Sequence, residues 1–235
     1  LEKEIVIDTK APDTDTALSD LSLLDNVDPI TGQIVDGTVT NDTTPTFSGK
    51  ATPEVVEVNI YDGDKFLAKV PVDPNTNTWS YTPSPALIDG PYSFIAKPVD
   101  LAGNEGEGTD PIDFKILTAV PTAEAELTAI TEDTGLVGDF VTKDAELEFS
   151  GVINGTLAAG EKVQIRVAGG DWQDATVTGT TWSYDHTGTS LADGTYKVET
   201  RITNTAGTSS TPLEKEIVID TKAPDTDTAL SDLSL

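Results

Sequence analysis

Apolar and polar residues alternate in short runs along most of the chain: EVNIYDG (57–63), TWSYT (78–82), YSFIAKPV (92–99), IDFKIL (112–117), KVQIRVA (162–168), YKVETRI (196–202) and EIVID (216–220). A period of two sends successive side chains to opposite faces, which is the pattern of half-buried β-strands. Clusters of Gly, Pro, Asn and Asp separate the runs at the spacing of turns. TALSDLSLL (16–24) is the one stretch with a helical look. Its polar residues fall on both faces of a helix, so a strand is the stronger reading. The pattern predicts an all-β chain.

The chain also repeats itself. NDTTPTFSG (41–49) aligns with KDAELEFSG (143–151), and NTWSYTPSPALIDGPYSFIAKPVDLAGN (77–104) aligns with TTWSYDHTGTSLADGTYKVETRITNTAGT (180–208), so Trp79 and Trp182 hold equivalent places. Two units of about 100 residues with about seven strands each have the size of immunoglobulin-like β-sandwiches. In the first unit strands are expected at 16–24, 44–51, 55–61, 65–71, 78–82, 91–99 and 112–117. In the second they are expected at 124–131, 145–153, 161–168, 171–177, 181–185, 195–203 and 214–219. A second, perfect repeat covers LEKEIVIDTKAPDTDTALSDLSL, present at 1–23 and again at 213–235. The expected organisation is therefore the last strand of a preceding repeat with its linker (1–8), one domain at 9–117, another at 118–220, and the start of a following repeat at 221–235. Residues 1–7, without a domain of their own, are expected to fray or to borrow a strand edge from a neighbouring molecule.

Four motifs carry a resemblance to a known family: IVIDTKAP (5–12 and 217–224), NDTTPTFSG, LIDGPYSF…VDLAGN (87–104) and EDTGLVGDF (132–140). In this order and spacing they resemble the bacterial immunoglobulin-like repeats of giant RTX-type adhesins, which leave the cell by type I secretion and serve host attachment or biofilm formation. The resemblance implies a secreted, cell-surface spacer that folds outside the cell, where calcium is abundant.

Charge narrows the partners. Asp and Glu number 41 against 14 Lys and Arg, a formal net charge of −27. Such a charge repels phosphate backbones and anionic bilayers, so neither nucleic acid nor membrane insertion is expected. No cysteine is present to form a staple. No apolar run approaches the roughly 18 residues that would span a bilayer.

Catalytic readings find little support. His186 is the sole histidine, and neither Ser183 nor Ser190 beside it has the setting of an activated nucleophile. GGD (169–171), LAGN (101–104) and TAGT (205–208) read as turns, since no helix follows them to cradle a phosphate. The chain is expected not to be an enzyme. Trp79 and Trp182 are expected in the cores. Trp172, whose counterpart is Phe66, is the better candidate for an exposed aromatic that could meet a carbohydrate.

The carboxylates near the domain ends suggest calcium, which takes six to eight oxygens from carboxylates, amides and carbonyls in irregular geometry. At the start of the first domain the expected ligands are Asp8, Asp100 and Asn104, with the Leu101 carbonyl. At its end they are Asp25, Asn26, Asp28, Asp36 and Asp89. At the end of the second domain they are Glu132, Asp133, Asp139, Asp193 and Asp220, the last being the counterpart of Asp8. The middle linker departs from this pattern, because Leu117 stands where Asp8 and Asp220 stand and Asn204 stands where Asp100 stands. The expected partners are neighbouring repeats of the same chain and, for the full protein, a host or biofilm-matrix receptor; the chain itself is expected to be a monomer. The alternative reading is a recognition module that binds a host glycan or protein.

Overall fold

The computed structural model describes residues 7–223; the strand expected at 1–7, apart from Ile7, and the repeat start expected beyond 223 lie outside the described residues. The chain divides into two compact units, one built mainly on residues up to Ala119 and the other mainly on residues from Val120 onward.

The first unit begins with a single helical turn, α1 (Thr14–Ala17), whose N-cap Asp13 accepts a hydrogen bond from the Asp15 N–H. Its strands are β1 (Leu18–Asp25), β2 (Gly32–Gln33), β3 (Thr38–Thr40), β4 (Thr46–Ala51), β5 (Val55–Asp62), β6 (Lys65–Pro71), β7 (Thr78–Tyr81), β8 (Gly90–Asp100) and β9 (Ile112–Ile116). They form a four-stranded sheet, β2-β1-β4-β7, and a five-stranded sheet, β3-β9-β8-β5-β6. The second unit comprises β10 (Glu124–Ile130), β11 (Val141–Thr142), β12 (Glu148–Asn154), β13 (Lys162–Val167), β14 (Gln173–Asp174), β15 (Thr176–Thr178), β16 (Thr181–Asp185), β17 (Gly194–Thr203) and β18 (Leu213–Ile219). Its sheets are β10-β12-β16-β15 and β11-β18-β17-β13-β14. Both units are immunoglobulin-like sandwiches.

Alternation does what the period of two requires. Leu23, Phe47, Ile60, Phe94 and Ile116 are buried in one core, and Leu147, Phe149, Ile165, Ile202 and Ile217 in the other. Trp79 and Trp182 are 3% and 2% exposed, which places both in the cores as expected. Each is register-paired with the glycine of a Phe-Ser-Gly motif, Gly49 opposite Trp79 and Gly151 opposite Trp182. The glycine leaves room for the indole: a Cβ on Gly151 would lie 2.7 Å from the Trp182 ring, and one on Gly49 3.0 Å from the Trp79 ring.

The stretch TALSDLSLL (16–24) is a strand from Leu18 onward, as expected, preceded by one helical turn at Thr14–Ala17. Two local expectations need correction. The connection between the first and second main strands of each domain carries a short extra strand, β3 or β11, that crosses to the other sheet and pairs parallel with β9 or β18. Two or three residues are too few to show a period, so the sequence pattern could not reveal them. The strand expected at 171–177 is two pieces, because the chain leaves β13 after Asp174 and joins β16 from Thr176.

Candidate functional site

The ends of each domain gather the carboxylates that the sequence singled out. At the N-terminal pole of the first domain, Asn104 is the hub. Its backbone N–H and side-chain amide both donate to the Asp100 carboxylate at 2.8 Å, and the same amide reaches the Asp8 carbonyl at 3.2 Å. Asp100 is buried, and the Asn104 side chain in particular holds its carboxyl below the usual carboxylate range. Asp8 turns its own carboxylate onto the Lys10 N–H at 3.1 Å. This pole thus brings together all three of its expected residues, through the backbone of Asp8.

The C-terminal pole of the first domain is built differently. The Asp25 carboxylate accepts from the Thr40 hydroxyl at 2.5 Å and from the Val27 N–H at 2.9 Å. Asn26 donates its N–H to Asp42, a fully buried carboxylate that also takes the Thr44 N–H. Asp28 offers its carbonyl to the Asn41 amide, and Asp36 receives the Asp113 N–H. Asp42 was missed by sequence reasoning, which saw in NDTTPTFSG only a strand start. Its role follows from the turn chemistry of Asp two residues before Thr.

At the C-terminal pole of the second domain, most candidates cap their own turns. Asp139 accepts the Val141 N–H, and the Glu132 carbonyl accepts the Thr142 hydroxyl. Asp133 holds the Gly138 N–H at 2.6 Å with one oxygen, while its other oxygen, Oδ1, is buried without a hydrogen-bond partner. Asp220 caps the Lys222 N–H.

Asp89 and Asp193 share a device that the sequence did not announce. Each lies in the turn before the longest strand of its domain and grips the residues just past the last strand. Asp89 accepts the Thr118 N–H (3.0 Å), the Thr118 hydroxyl (2.7 Å) and the Ala119 N–H (3.3 Å). Asp193 accepts the Thr221 N–H (3.0 Å) and hydroxyl (2.7 Å), and pairs with Lys222 at 3.1 Å. The signal was present: threonine follows Leu117 and Asp220 alike, and only the aspartate beside it drew notice. Leu117 and Asp220 do occupy equivalent backbone positions, each donating its N–H to the carbonyl of Thr40 or Thr142.

These bonds hold Asp89 below the ordinary carboxylate range, chiefly through the Thr118 hydroxyl, and bring Asp193 down to about 2, chiefly through the Thr221 N–H. A depressed carboxyl stabilises the fold above its unfolded value and loses that contribution as pH falls through its folded value. For Asp193 the window runs from its ordinary 3.8 down to about 2. Hydrogen exchange should therefore show the Thr221 amide protected at neutral pH and released toward pH 2 ahead of β18. Asp193→Ala should release it at every pH, and unchanged protection in that variant would count against the clasp.

Among the described residues, no three His, Asp or Glu side chains converge closely enough to hold a metal ion by themselves. An ion at any of these poles would have to complete its shell from carbonyls and amides, as calcium readily does. The donor set of Asp100, the Asp8 carbonyl and the Asn104 side-chain carbonyl fits that preference once the Asn104 amide is turned about. The partnerless Asp133 oxygen fits it as well.

Away from the poles, Trp172 is engaged by its own sheet, with the guanidinium groups of Arg201 and Arg166 at 4.1 and 4.7 Å from its ring centre. Arg166 in turn makes a two-pronged pair with Glu199 at 2.6 and 2.7 Å. His186 packs against the rings of Phe149 and Tyr184, and burial lowers its pKa.

The sequence model of the bacterial Ig-like domain matches residues 18–118 and again residues 119–221. No curated protein is detectably similar to the chain. Among solved structures, the fibronectin(III)-like modules of Clostridium thermocellum CbhA share 16% identity over 79% of this chain and 90% of theirs, with a TM-score of 0.54. A 1.5-MDa bacterial ice-binding adhesin shares 21% identity over 79% of this chain and 62% of its own, with a TM-score of 0.32. A marsupial T cell receptor gives 10% identity, coverage of 78% and 71%, and a TM-score of 0.43.

Proposed function

Because this chain belongs to the bacterial Ig-like domain family, in two tandem copies, we propose that it is an extender segment of a large, secreted bacterial surface adhesin. Its work is mechanical: to hold other parts of the adhesin away from the cell. The observation that carries this reading is the paired clasp, since Asp89 and Asp193 each tie the start of a linker to the domain it leaves. A linker fixed at its root has fewer free torsions. No step of chemistry is assigned to any residue. The described helix is far too short to cross a membrane.

Calcium is the finer part of the proposal. Asp100, Asn104 and Asp8 would hold it at one pole, and Asp133, with Asp220 and its neighbours, would contribute at the other. Bound there, the ion would offset the negative charge of the Asp100 and Asp133 carboxylates. The alternative, a recognition module, is weakened by the engagement of Trp172, and the half-exposed Phe66 is left as its aromatic.

Calorimetric titration is the test. We expect calcium uptake, with Asp100→Ala weakening one site about tenfold or more, since losing a charged ligand removes at least about 1.4 kcal/mol. Asn104→Ala combined with Asp100→Ala should be less than additive, because ligands of one ion couple. No uptake at millimolar calcium would reduce these residues to turn caps.

A further inference from the structure

Strand register makes the outer faces of the two five-stranded sheets comparable residue by residue. Lys97 lies opposite Asn59 in the first domain, and Arg201 lies opposite Gln164 in the second. Tyr61 and Arg166 match in the same way, opposite Ile95 and Glu199. An isolated bridge then pairs Val99 with Glu105 in the first domain and Thr203 with Ser209 in the second, so Glu105 and Ser209 hold equivalent places. In the first domain Glu105 is the anion of this face. Its carboxylate accepts from the Asn59 amide at 2.5 Å and from the Tyr61 hydroxyl at 3.1 Å, and Lys97 approaches it to 3.5 Å.

At the equivalent places the second domain holds more cation and less anion: Arg201 for Lys97, Arg166 for Tyr61 and Ser209 for Glu105. Among the described residues Arg201 pairs with no carboxylate. Its Nε and Nη2 both donate to the side-chain carbonyl of Gln164, at 3.0 and 2.9 Å. Arg166 directs its Nε and Nη2 to Glu199. Each guanidinium therefore keeps its Nη1 clear of any protein acceptor among the described residues. The Trp172 ring, 4.1 and 4.7 Å from the two groups, holds their planes by stacking. Burial first, and then the Arg166 charge, lowers the Arg201 pKa, as happens where like charges share one face.

We propose that Arg166 and Arg201, held by Trp172, form a binding site for the carboxylate of an acidic saccharide, a uronate. Glu105 shows what this face of the fold accommodates, which is one carboxylate among converging donors. The surroundings narrow the class. Asp171 and Asp174 are exposed beside the site, Asp174 through its bond from Gln164 at 2.9 Å, and the whole chain carries −27. Such a rim repels polyanions, other copies of this chain among them. It accepts hydrogen bonds from the hydroxyls that flank the carboxylate of a uronate ring. Trp172 offers a neutral sugar no open platform, because its ring is committed to the two cations. The inference goes beyond the extender reading and involves none of the calcium residues.

The test is titration of the full chain with trigalacturonate in the presence of chelator, followed by the Trp172 indole N–H signal in nitrogen–proton correlation spectra. A saturable shift is expected, with a dissociation constant of the order of 1 mM or below. The methyl ester of the same trisaccharide keeps its ring hydroxyls and loses its charge, so it should bind at least about tenfold more weakly. Ser209→Glu gives the second domain the carboxylate that the first already has, and should weaken trigalacturonate binding at least about tenfold in a chain whose spectrum remains that of the folded protein. Arg201→Lys keeps the charge and loses the fork, and should weaken binding as well. The proposal is overturned if no saturable shift occurs, if acid and ester bind alike, or if either variant binds as the wild type does. It is overturned too if a glutamate-rich peptide of the same charge moves the Trp172 signal at lower concentration than the trisaccharide, which would make the ligand a protein.

Discussion

Gly151→Ala should lower the stability of the second domain by about 3 kcal/mol or more, a shift of about 10–20 °C in its melting temperature. A Cβ at this position would sit 1.8 Å from the Glu126 carbonyl oxygen and 2.7 Å from two atoms of the Trp182 indole. Neither obstacle is the loose end of a flexible side chain. One is the backbone of the adjacent strand β10, which is irregular between Leu127 and Ala129 and comes in close over the glycine. The other is a fully enclosed ring. The equivalent change in the first domain should be milder, about 1 kcal/mol, because all three of the nearest atoms to a Cβ on Gly49 lie at 3.0 Å and shifts of a few tenths of an ångström relieve such contacts. Denaturant unfolding followed by tryptophan fluorescence reads both variants. Equal, small losses in the two domains would contradict the packing described here.

This pair of glycines shows how far the sequence could be read. Repetition of Phe-Ser-Gly and of Thr-Trp-Ser-Tyr was plain in the letters, and it located strands and buried tryptophans correctly. That the glycine exists to receive the indole was not legible, because the two motifs lie some thirty residues apart and only the strand register brings them together. The poles tell the same story. Asp100 and Asn104 are four residues apart, and their meeting could be anticipated from a turn. The clasp of Asp89 on Thr118 spans 29 residues, and the threonine shared by the two linkers is its one local sign, which does not name the partner. The short strands β3 and β11 were invisible for a different reason, since their place is fixed by the edge of β9 or β18 and not by any pattern of their own.

Glu199→Ala should produce the second large loss, about 2–3 kcal/mol, because it removes a two-pronged, charge-assisted pair and leaves Arg166 without its carboxylate. The Glu199 side chain is 3% exposed and is approached by Arg166 and by Lys197. Those cations, Arg166 foremost, bring its pKa from an ordinary 4.5 down to about 2. The sign follows: the pair stabilises the second domain fully above about pH 4.5, and that contribution fades as the pH falls toward 2. The second domain of the wild type should thus weaken across this window more steeply than that of the Glu199→Ala variant. Trp172 supplies a further readout, since it rests on Arg166 and Arg201, and its fluorescence should change when Arg166 is freed. A parallel acid profile in wild type and variant would mean that the pair contributes little.

The extender reading with calcium at its joints is tested most directly by small-angle scattering on a chain in which residues 24–235 are repeated once after Leu235, so that the linker bearing Asp220 is followed by a domain with its own Asp100 and Asn104. The account predicts that without calcium the carboxylates at that linker repel and the joint splays, and that with calcium the maximum dimension is larger and the distribution of lengths narrower. The linker bearing Leu117 makes no such demand, and Leu117→Asp with Asn204→Asp should bring it under the same control and widen the difference. Identical scattering in calcium and in chelator, for both chains, would contradict the account.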